Sequence, residues 1–250
     1  MSATAATPVV WITGASGALG QAVCAHFARQ GARLALLARQ PAGLQALAQS
    51  LIATGAATAP EQLLPLPTDL LNPQAVATAR DAVLARWGRI DVAVHLAGGF
   101  TMGQAVASDG FETALNQMLD LNLRTVLHSV AAVLPVMQRQ GSGAVVNVGA
   151  ASAAQGLAHM GAYAASKAAL ARVTESLAAE VKGQGVNGQG IRVNAVLPSI
   201  IDTPDNRAVM PSADPSHWVA PDALAEVIGF LASPAARAVQ GACVPVVGLV

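Results

Sequence analysis

The chain has 250 residues, of which 53% are hydrophobic and 11% charged, and its 14 acidic and 14 basic residues give a formal net charge of zero. This length is enough for one large domain with a sizeable core. The balanced charge argues against nucleic acid or an anionic membrane surface as the main partner. Cys24 and Cys243 lie far apart without the spacing of metal ligands, so we expect two buried, unreactive thiols and neither a disulfide nor a metal site.

Two segments bear on localisation. Residues 1–7 have neither a basic start nor a long apolar run, which predicts a flexible N-terminus without a signal peptide. Residues 140–166 contain no Asp, Glu, Lys or Arg, but they are rich in Gly, Ser, Asn and Gln and are too polar to cross a membrane. We therefore expect a cytoplasmic protein with no membrane partner.

The chain opens on a strand, a glycine-rich turn, a helix and a second strand. The apolar residues 8–12 predict a buried strand, residues 21–30 a helix and residues 33–38 a parallel strand. Glycines between the first strand and the helix let the backbone approach a pyrophosphate, which the free amides at the helix N-terminus attract. The alternative is a purely structural turn. We predict a dinucleotide site that includes Gly14, Ser16, Gly17, Leu19 and Gly20.

Strands and helices alternate along the rest of the chain. Helices are predicted at residues 42–54, 73–87, 111–140 (kinked near Pro135) and from the Tyr163 segment to residue 182, and strands at residues 63–67, 90–95, 144–148, 191–196 and 243–247. A glycine-containing loop is predicted at 98–110 and a polar turn at 183–190. This order predicts an α/β fold, with a single Rossmann domain over residues 8–250 and a doubly wound, seven-stranded, mostly parallel sheet covered by helices on both faces.

Tyr163 and Lys167 lie four residues apart in an Ala-rich helical segment, so both face the same side, one turn from each other. A phenol is a poor acid or base at neutral pH, but a nearby ammonium favours the phenolate and lowers the pKa. Such a pair could exchange a proton with a substrate. Taken alone, this spacing is a weak signal, because most Tyr/Lys pairs four residues apart are solvated surface.

Several motifs together carry a family resemblance. They are Thr13-Gly14 with the glycine turn, Asp69 after the third strand, Asn122 in Asp-Leu-Asn-Leu, the Tyr163-Ala-Ala-Ser-Lys167 segment, and Asn194-Ala-Val-Leu-Pro198 followed by Ile201 and Thr203. With these motifs the chain resembles the short-chain dehydrogenase/reductase family over essentially its full length.

The resemblance implies roles for these residues. Tyr163 would be the general acid that protonates the substrate as hydride arrives from a nicotinamide. Lys167 would hold the nicotinamide ribose and bias the Tyr163 pKa, and Asn122 would kink its helix and support a water-mediated proton path. Further cofactor contacts would come from Asp69 and Leu70 at the adenine, from Ala97 and Gly98, and from Pro198, Ile201 and Thr203 at the nicotinamide end. From the residues alone, Asp69 could instead cap the helix that starts at Pro73.

The chain also departs from the family pattern. Ala18 stands where the middle glycine of the turn is usual, and Ser199 replaces a glycine. His95-Leu96 replaces two asparagines, and we expect His95 to serve as a packing or hydrogen-bonding residue. The family serine thirteen residues before the tyrosine is Ala150 here, with Ser152 two positions away. Either Ser152 or a water substitutes for this hydroxyl, or the substrate needs none.

One branch, the dihydropteridine reductases, shares the alanine at the serine position. The segment from Ala195 to Arg207, Trp218 and the Gly98-Gly99-Phe100 loop also resemble that branch. That resemblance would place Asn206, Arg207 and Trp218 on a flap over a quinonoid pterin, whose conjugation already activates the acceptor. A shared local structure with a different ligand is the alternative.

The cofactor preference follows from the end of the second strand. A carboxylate there would bind the adenosine ribose of NAD, but this chain has Ala38 followed by Arg39. A guanidinium suits a 2′-phosphate, so we predict NADP(H) in preference to NAD(H). A solvated surface arginine is the alternative.

Three functions remain open on the sequence. The first is an NAD(P)H-dependent oxidoreductase acting on a small carbonyl, alcohol or conjugated C=N compound, and the second is a reductase of a quinonoid pterin. The third is a dinucleotide-binding regulator without turnover, which Ala150 favours and the retained Tyr163 and Lys167 oppose. The family resemblance further implies a homodimer or homotetramer.

Overall fold

The computed structural model describes residues 7–185 and 190–248. Nearly all of the predicted flexible N-terminus therefore lies outside the described residues, as does the middle of the predicted turn at 183–190. The rest forms one α/β unit.

Seven strands form one sheet in which every neighbouring pair is parallel. The predicted α/β Rossmann fold is thus confirmed, with a sheet that is wholly rather than mostly parallel. In chain order the strands are β1 Val9–Thr13, β2 Arg33–Ala38, β3 Leu63–Pro67, β4 Val92–His95, β5 Gly143–Val148, β6 Ile191–Pro198 and β7 Cys243–Val246. Across the sheet they lie in the order β3-β2-β1-β4-β5-β6-β7.

Helices cover both faces of the sheet because successive strand residues point to opposite sides. Val10 and Ile12 of β1 pack on one side, and Val9 and Trp11 on the other. The helices are α1 Ala18–Arg29, α2 Pro41–Ala53, α3 Pro73–Trp87, α4 Phe111–Leu119, α5 Thr125–Gln140, α6 Gly161–Glu180, α7 Pro204–Val209 and α8 Pro221–Ala232. The core beneath α1, α2 and α8 lies on one face, and the core beneath α3, α5 and α6 on the other.

The structure differs from the helix predictions in two places. The predicted helix at 111–140 is present as a continuous helical stretch with a π turn at Asp120–Arg124 in its interior, and Pro135 lies inside α5. The sequence analysis also missed α8, which packs on α1 and buries Leu224, Ala225 and Ile228.

The stretch Phe111–Gln140 is long and apolar enough, by length and composition only, to cross a membrane. In this structure its second half, α5, packs against α3 and contacts β4 and β5. It also buries Val133, Val136 and Met137 in the core. The stretch therefore has the packing of a core helix of the α/β unit.

Candidate active site

The glycine turn between β1 and α1 is built for close backbone approach. Gly14 has φ +69°, and a Cβ there would lie 2.7 Å from the amide nitrogen of Ala97. A Cβ on Gly20 would lie 2.3 Å from the Gly14 carbonyl oxygen. Gly17 is the N-cap of α1 and offers no side-chain cap, and the first turn contains no acidic residue. The backbone amides in the first turn of α1 therefore remain available to a ligand, and the glycine turn fits the pyrophosphate of a dinucleotide.

Ser16 lies in this turn, and the N-terminus of α2 approaches it. A Cβ on Gly43, in the first turn of α2, would lie 3.2 Å from the Ser16 Cβ. Arg39 is exposed in the connection between β2 and α2. The uncapped N-terminus of α2 therefore lies near the turn.

Asp69 and Leu70 follow β3 at the same edge of the sheet. Asp69 is exposed, and its carboxylate accepts from the Leu71 amide at 3.0 Å. Asn72 is the residue that caps α3, accepting from Gln74 and Ala75. The alternative role of Asp69 as that cap was therefore wrong.

Asn122 holds the loop after β4 against α6. Its Oδ1 accepts from the Gly99 amide at 2.9 Å, and its Nδ2 donates to the Gly99 carbonyl at 3.0 Å and to Ser166 Oγ at 3.0 Å. Ser166 in turn donates to the Tyr163 carbonyl at 2.8 Å. Asn122 lies in the π turn, so the helix irregularity predicted at this residue is present. A Cβ on Gly98 would lie 2.8 Å from Asn122 Oδ1 and 3.5 Å from Lys167 Nζ, which leaves room only for glycine there.

Lys167 is 7% exposed, and its ammonium donates to the Val148 carbonyl at 2.9 Å. Burial lowers the pKa of this ammonium to about 8. Lys167 Nζ lies 6.0 Å from the centroid of the Tyr163 ring. Burial raises the pKa of Tyr163 to about 12. Burial of the phenol is the cause of this shift, and a lowering of the Tyr163 pKa by Lys167 is not seen in this structure.

His95 belongs to a buried hydrogen-bond network. Its Nδ1 donates to Asn147 Oδ1 at 2.7 Å, its Nε2 accepts from Ser129 Oγ at 2.8 Å, and Trp11 Nε1 donates to the same Ser129 oxygen. Asn147 Nδ2 donates to Thr174 Oγ1 at 2.9 Å, which extends the network to α6. Burial lowers the pKa of His95 to about 4, so the imidazole is neutral. It is a hydrogen-bonding residue, as expected.

The segment after β5 lacks the family hydroxyl. Ala150 is buried, and Ser152 lies in a short 3₁₀ turn at Ala151–Ala153 that packs against α6. Ser152 Oγ is enclosed and is the single buried side-chain oxygen or nitrogen without a partner in the part of the chain that the structure describes. In this conformation Ser152 therefore does not present its hydroxyl to a substrate.

The segment after β6 forms part of the same edge. Pro198 ends β6, Ile201 pairs with Val219, and the Thr203 hydroxyl caps α7. Asn206 donates to the Ile201 carbonyl at 2.8 Å and thereby holds this segment together. Arg207 makes a bidentate ion pair with Asp202, and Trp218 is half-buried.

Sequence reasoning missed some residues that the structure brings to the site. The Phe100 ring packs against the Tyr163 ring, Gly99 and Ser166 are held by Asn122, and the Val148 carbonyl holds Lys167. Ser166 could have been found, because it lies three residues after Tyr163 in a helix. The others act through tertiary contacts that leave no spacing signal.

Known proteins resemble this chain along most of its length. The family model described as short chain dehydrogenase matches residues 8–213. A cis-4-hydroxycyclohexanecarboxylate dehydrogenase from Sinomonas cyclohexanicum is 33% identical over 248 residues, covering 96% of this chain and 95% of that protein.

Solved structures also resemble this chain along most of its length. Levodione reductase has a TM-score of 0.86 at 29% identity, with 96% of each chain covered. The L-sorbose reductase from Gluconobacter frateurii, solved with NADPH and L-sorbose, has a TM-score of 0.84 at 26% identity, with 97% of this chain and 95% of that chain covered.

The family match confirms the resemblance seen in the sequence, and relatives named as dehydrogenases and reductases support an oxidoreductase over a regulator without turnover. The chain belongs to the short-chain dehydrogenase family and is an NAD(P)-dependent oxidoreductase.

Proposed function

We propose that this oxidoreductase works in the reductive direction, with Tyr163 donating the proton. The observation that carries the proposal is the buried Lys167 ammonium, one helical turn from Tyr163, which among the described residues donates only to the Val148 carbonyl. A buried ammonium with unused N–H groups is costly unless a ligand accepts from them. The ribose hydroxyls of a nicotinamide nucleotide are suitable acceptors, so Lys167 would fix the cofactor beside Tyr163.

The protonation state of Tyr163 supports reduction. Because burial raises its pKa to about 12, the phenol keeps its proton at neutral pH, as a general acid must. The proton would go to the substrate oxygen, or to nitrogen if the acceptor is a conjugated C=N group.

The remaining residues would bind and orient. A bound nicotinamide nucleotide supplies the hydride. Its pyrophosphate would be held at the N-terminus of α1 by the segment that contains Gly14, Ser16, Gly17, Leu19 and Gly20. Asn122 would keep Gly99 and Ser166 in place and so fix the loop in front of Tyr163. Asp69 and Leu70 would border the adenine, and the nicotinamide end would be lined by Ala97, Gly98, Pro198, Ile201 and Thr203.

NADP(H) is the preferred cofactor in this proposal. Ala38 ends β2 without a carboxylate, and the exposed Arg39 follows it directly, just before the start of α2. Arg39→Ala should reduce kcat/KM for NADPH by about tenfold or more and leave that for NADH nearly unchanged, since a charged hydrogen bond to phosphate is worth about 1.5–3 kcal/mol. Arg29→Ala, at the far end of α1, is the matched control. An unchanged NADPH/NADH ratio in Arg39→Ala would contradict the preference.

Ala150 favours an acceptor that is already activated. Position 150 has no hydroxyl, and the Ser152 hydroxyl is enclosed. The segment after β5 therefore provides no side-chain hydroxyl to polarise the carbonyl of a plain ketone. Diketones, quinones and quinonoid dihydropterins need less help because conjugation or a second carbonyl activates them. Reduction of a quinonoid pterin is therefore a second candidate function, with Asn206 and Trp218 near the substrate.

The test is steady-state oxidation of NADPH, and of NADH in parallel, with ketones, diketones, quinones and a quinonoid dihydropterin. We expect turnover with at least one activated acceptor, and a loss of about 10²- to 10⁴-fold in Tyr163→Phe, the range of general acid catalysis. Cofactor binding, followed by fluorescence, should survive in that variant. Unchanged turnover in Tyr163→Phe would exclude the phenol as the proton donor.

Assembly and location complete the proposal. A homodimer or homotetramer would use α5 and α6, where Leu127 is 39% exposed. Light scattering of the purified chain tests the oligomer, and a monomer would contradict it. The proposed location is the cytoplasm, which cell fractionation tests.

A further inference from the structure

The three loops around Tyr163 expose an unusual amount of apolar surface. These loops, which we call the mouth, are residues 99–110 after β4, 149–160 after β5 and 199–219 after β6. Exposed apolar patches of this kind mark binding surfaces in soluble proteins. The five most exposed large hydrophobic side chains in the described part of the chain all lie in the mouth: Val209 at 75%, Val106 at 70%, Met102 at 59%, Phe100 at 55% and Leu157 at 51%.

Phe100 and Tyr163 form an aromatic corner within the mouth. Their ring centroids are 4.9 Å apart and their planes meet at 79°. A third ring could stack on one of these rings and meet the edge of the other, and both arrangements are favourable for aromatic pairs. Because Tyr163 is the proposed proton donor, a ring seated in this corner lies next to the reacting group.

The mouth around this corner is fixed by backbone contacts. The Gly103 amide donates to the His159 carbonyl at 2.9 Å, which joins two of the three loops. His159 has φ +61°, a left-handed conformation that few residues other than glycine adopt, so its geometry is imposed by the surroundings. A Cβ on Gly161 would lie 3.2 Å from Val106, which shows how closely the first loop packs on the start of α6.

The formal charge of the mouth disfavours anionic ligands. The mouth contains one arginine and no lysine against four aspartates, a formal charge of −3. The arginine, Arg207, is already in a bidentate pair with Asp202. A carboxylate or phosphate on the substrate would find no free guanidinium or ammonium there and would be repelled by the aspartates.

We infer that the substrate is an uncharged molecule with a planar conjugated ring beside the group that is reduced, and that Phe100 determines this specificity. The inference rests on the proposed function, because it uses Tyr163 as the proton donor. The carbonyl carbon gains hydride, its oxygen gains the Tyr163 proton, and the nicotinamide is oxidised. Phe100 takes no part in these transfers and acts by seating the ring.

Three activated carbonyl compounds test separately how a ring and a negative charge on the substrate affect turnover. They are 1-phenyl-1,2-propanedione, which is neutral with a ring, 2,3-butanedione, which is neutral without a ring, and benzoylformate, which has the ring and a carboxylate. With the full chain and NADPH, we expect kcat/KM for the phenyl diketone to exceed that for each of the others by about tenfold, the upper range of one aromatic contact.

Variants test the role of Phe100. Phe100→Ala should lower kcat/KM for the phenyl diketone by about tenfold and that for 2,3-butanedione by a clearly smaller factor, and Phe100→Trp should keep the ring preference. Phe230→Ala is the matched control, because Phe230 is 49% exposed on α8, outside the mouth. Thermal melts verify folding.

The outcomes distinguish the two proposals. Turnover without ring preference, equal losses on both diketones in Phe100→Ala, or a preference for benzoylformate overturns this inference and leaves the proposed function standing. No turnover of any acceptor in the screen or in this set, with NADPH or NADH, overturns both.

Discussion

The two edges of the sheet treat buried polar groups differently. At the N-terminal edge, such groups have partners within the chain. Gln240 accepts from the Val193 amide at 3.0 Å and donates to the Ala178 carbonyl at 2.7 Å. Gln140 makes the equivalent pair of bonds with Ile90.

At the C-terminal edge, two groups are left with few or no partners. Lys167 donates to one carbonyl, Ser152 Oγ has no partner among the described residues, and the mouth exposes large apolar side chains. The fold could clearly satisfy polar groups, as the N-terminal edge does. The unused N–H groups of the buried Lys167 ammonium therefore mark where a ligand would bind, whereas the paired groups of the N-terminal edge serve stability.

The largest expected effect comes from removing the cation at the C-terminal edge. Lys167→Met should reduce kcat/KM by about 10²- to 10⁴-fold, because the proposed cofactor contact and proton transfer both need Lys167. Stability should be unchanged or higher, since the shift of its pKa from 10.5 to about 8 implies that burying the ammonium costs about 3 kcal/mol. The measurements are steady-state kinetics and urea unfolding.

The matched control is Lys182→Met. Lys182 is the only other lysine of the chain and is exposed near the N-terminal edge, so both readouts should stay near those of the wild type. If Lys167→Met loses activity and stability together, its charge is part of the scaffold and the contrast between the edges fails.

His95 sharpens the comparison, because it lies at the C-terminal edge yet has partners on both ring nitrogens. The native state binds the His95 proton only below about pH 4, whereas the unfolded chain binds it below about pH 6.5. Unfolding therefore takes up a proton between these values, and stability should fall by about 3 kcal/mol as the pH drops through this window.

Urea unfolding at intervals from pH 7 to pH 4 measures this loss. His95→Asn replaces the titrating ring with a neutral amide, so the part of the slope due to His95 should disappear. An identical slope in the variant would assign the acid sensitivity to other groups.

Arg192 tests the N-terminal edge. Its guanidinium donates to the carbonyls of Leu231 at 2.7 Å, Ala232 at 3.0 Å and Ala236 at 3.2 Å, and so secures the end of α8. Arg192→Met removes these bonds and should cost about 2 kcal/mol in the free energy of unfolding. At 20 °C kcat/KM should stay within twofold of the wild-type value.

The comparison variant is Arg237→Met, an exposed arginine nearby, for which we expect a change within about 0.5 kcal/mol. A loss of activity in folded Arg192→Met would show that the N-terminal edge also serves catalysis.

The sequence predicted the fold because its signals are local. Apolar runs, the glycine turn and the spacing of Tyr163 and Lys167 need no knowledge of neighbouring elements. Helix α8 was overlooked although Pro221 at its start and the spacing of Leu224, Ala225 and Ile228 carry a helical signal.

Other features lay beyond sequence reasoning because they depend on tertiary contacts. The family resemblance predicted a kink at Asn122, but the bonds that accompany the π turn join Asn122 to Gly99 and Ser166, which are distant in sequence. The sign of the Tyr163 pKa shift depends on burial, which the spacing to Lys167 does not reveal. The enclosure of Ser152 depends on how its turn packs on α6.

The smallest expected effect concerns Ser152. An enclosed hydroxyl without a partner loses its hydrogen bonds to water on folding, and replacement by a methyl group removes that cost. Ser152→Ala should therefore raise the free energy of unfolding by about 1 kcal/mol. If the substrate needs no hydroxyl from this segment, kcat/KM for an activated diketone stays within twofold of the wild-type value.

Ala150→Ser is the complementary variant, because it restores a hydroxyl at the family position. It should improve reduction of a plain ketone more than that of a diketone, since only the plain ketone lacks activation. A drop of tenfold or more in Ser152→Ala would instead mean that the Ser152 hydroxyl reaches the substrate during turnover. In that case its missing partner is the substrate itself, as the contrast between the two edges implies for Lys167 and the cofactor.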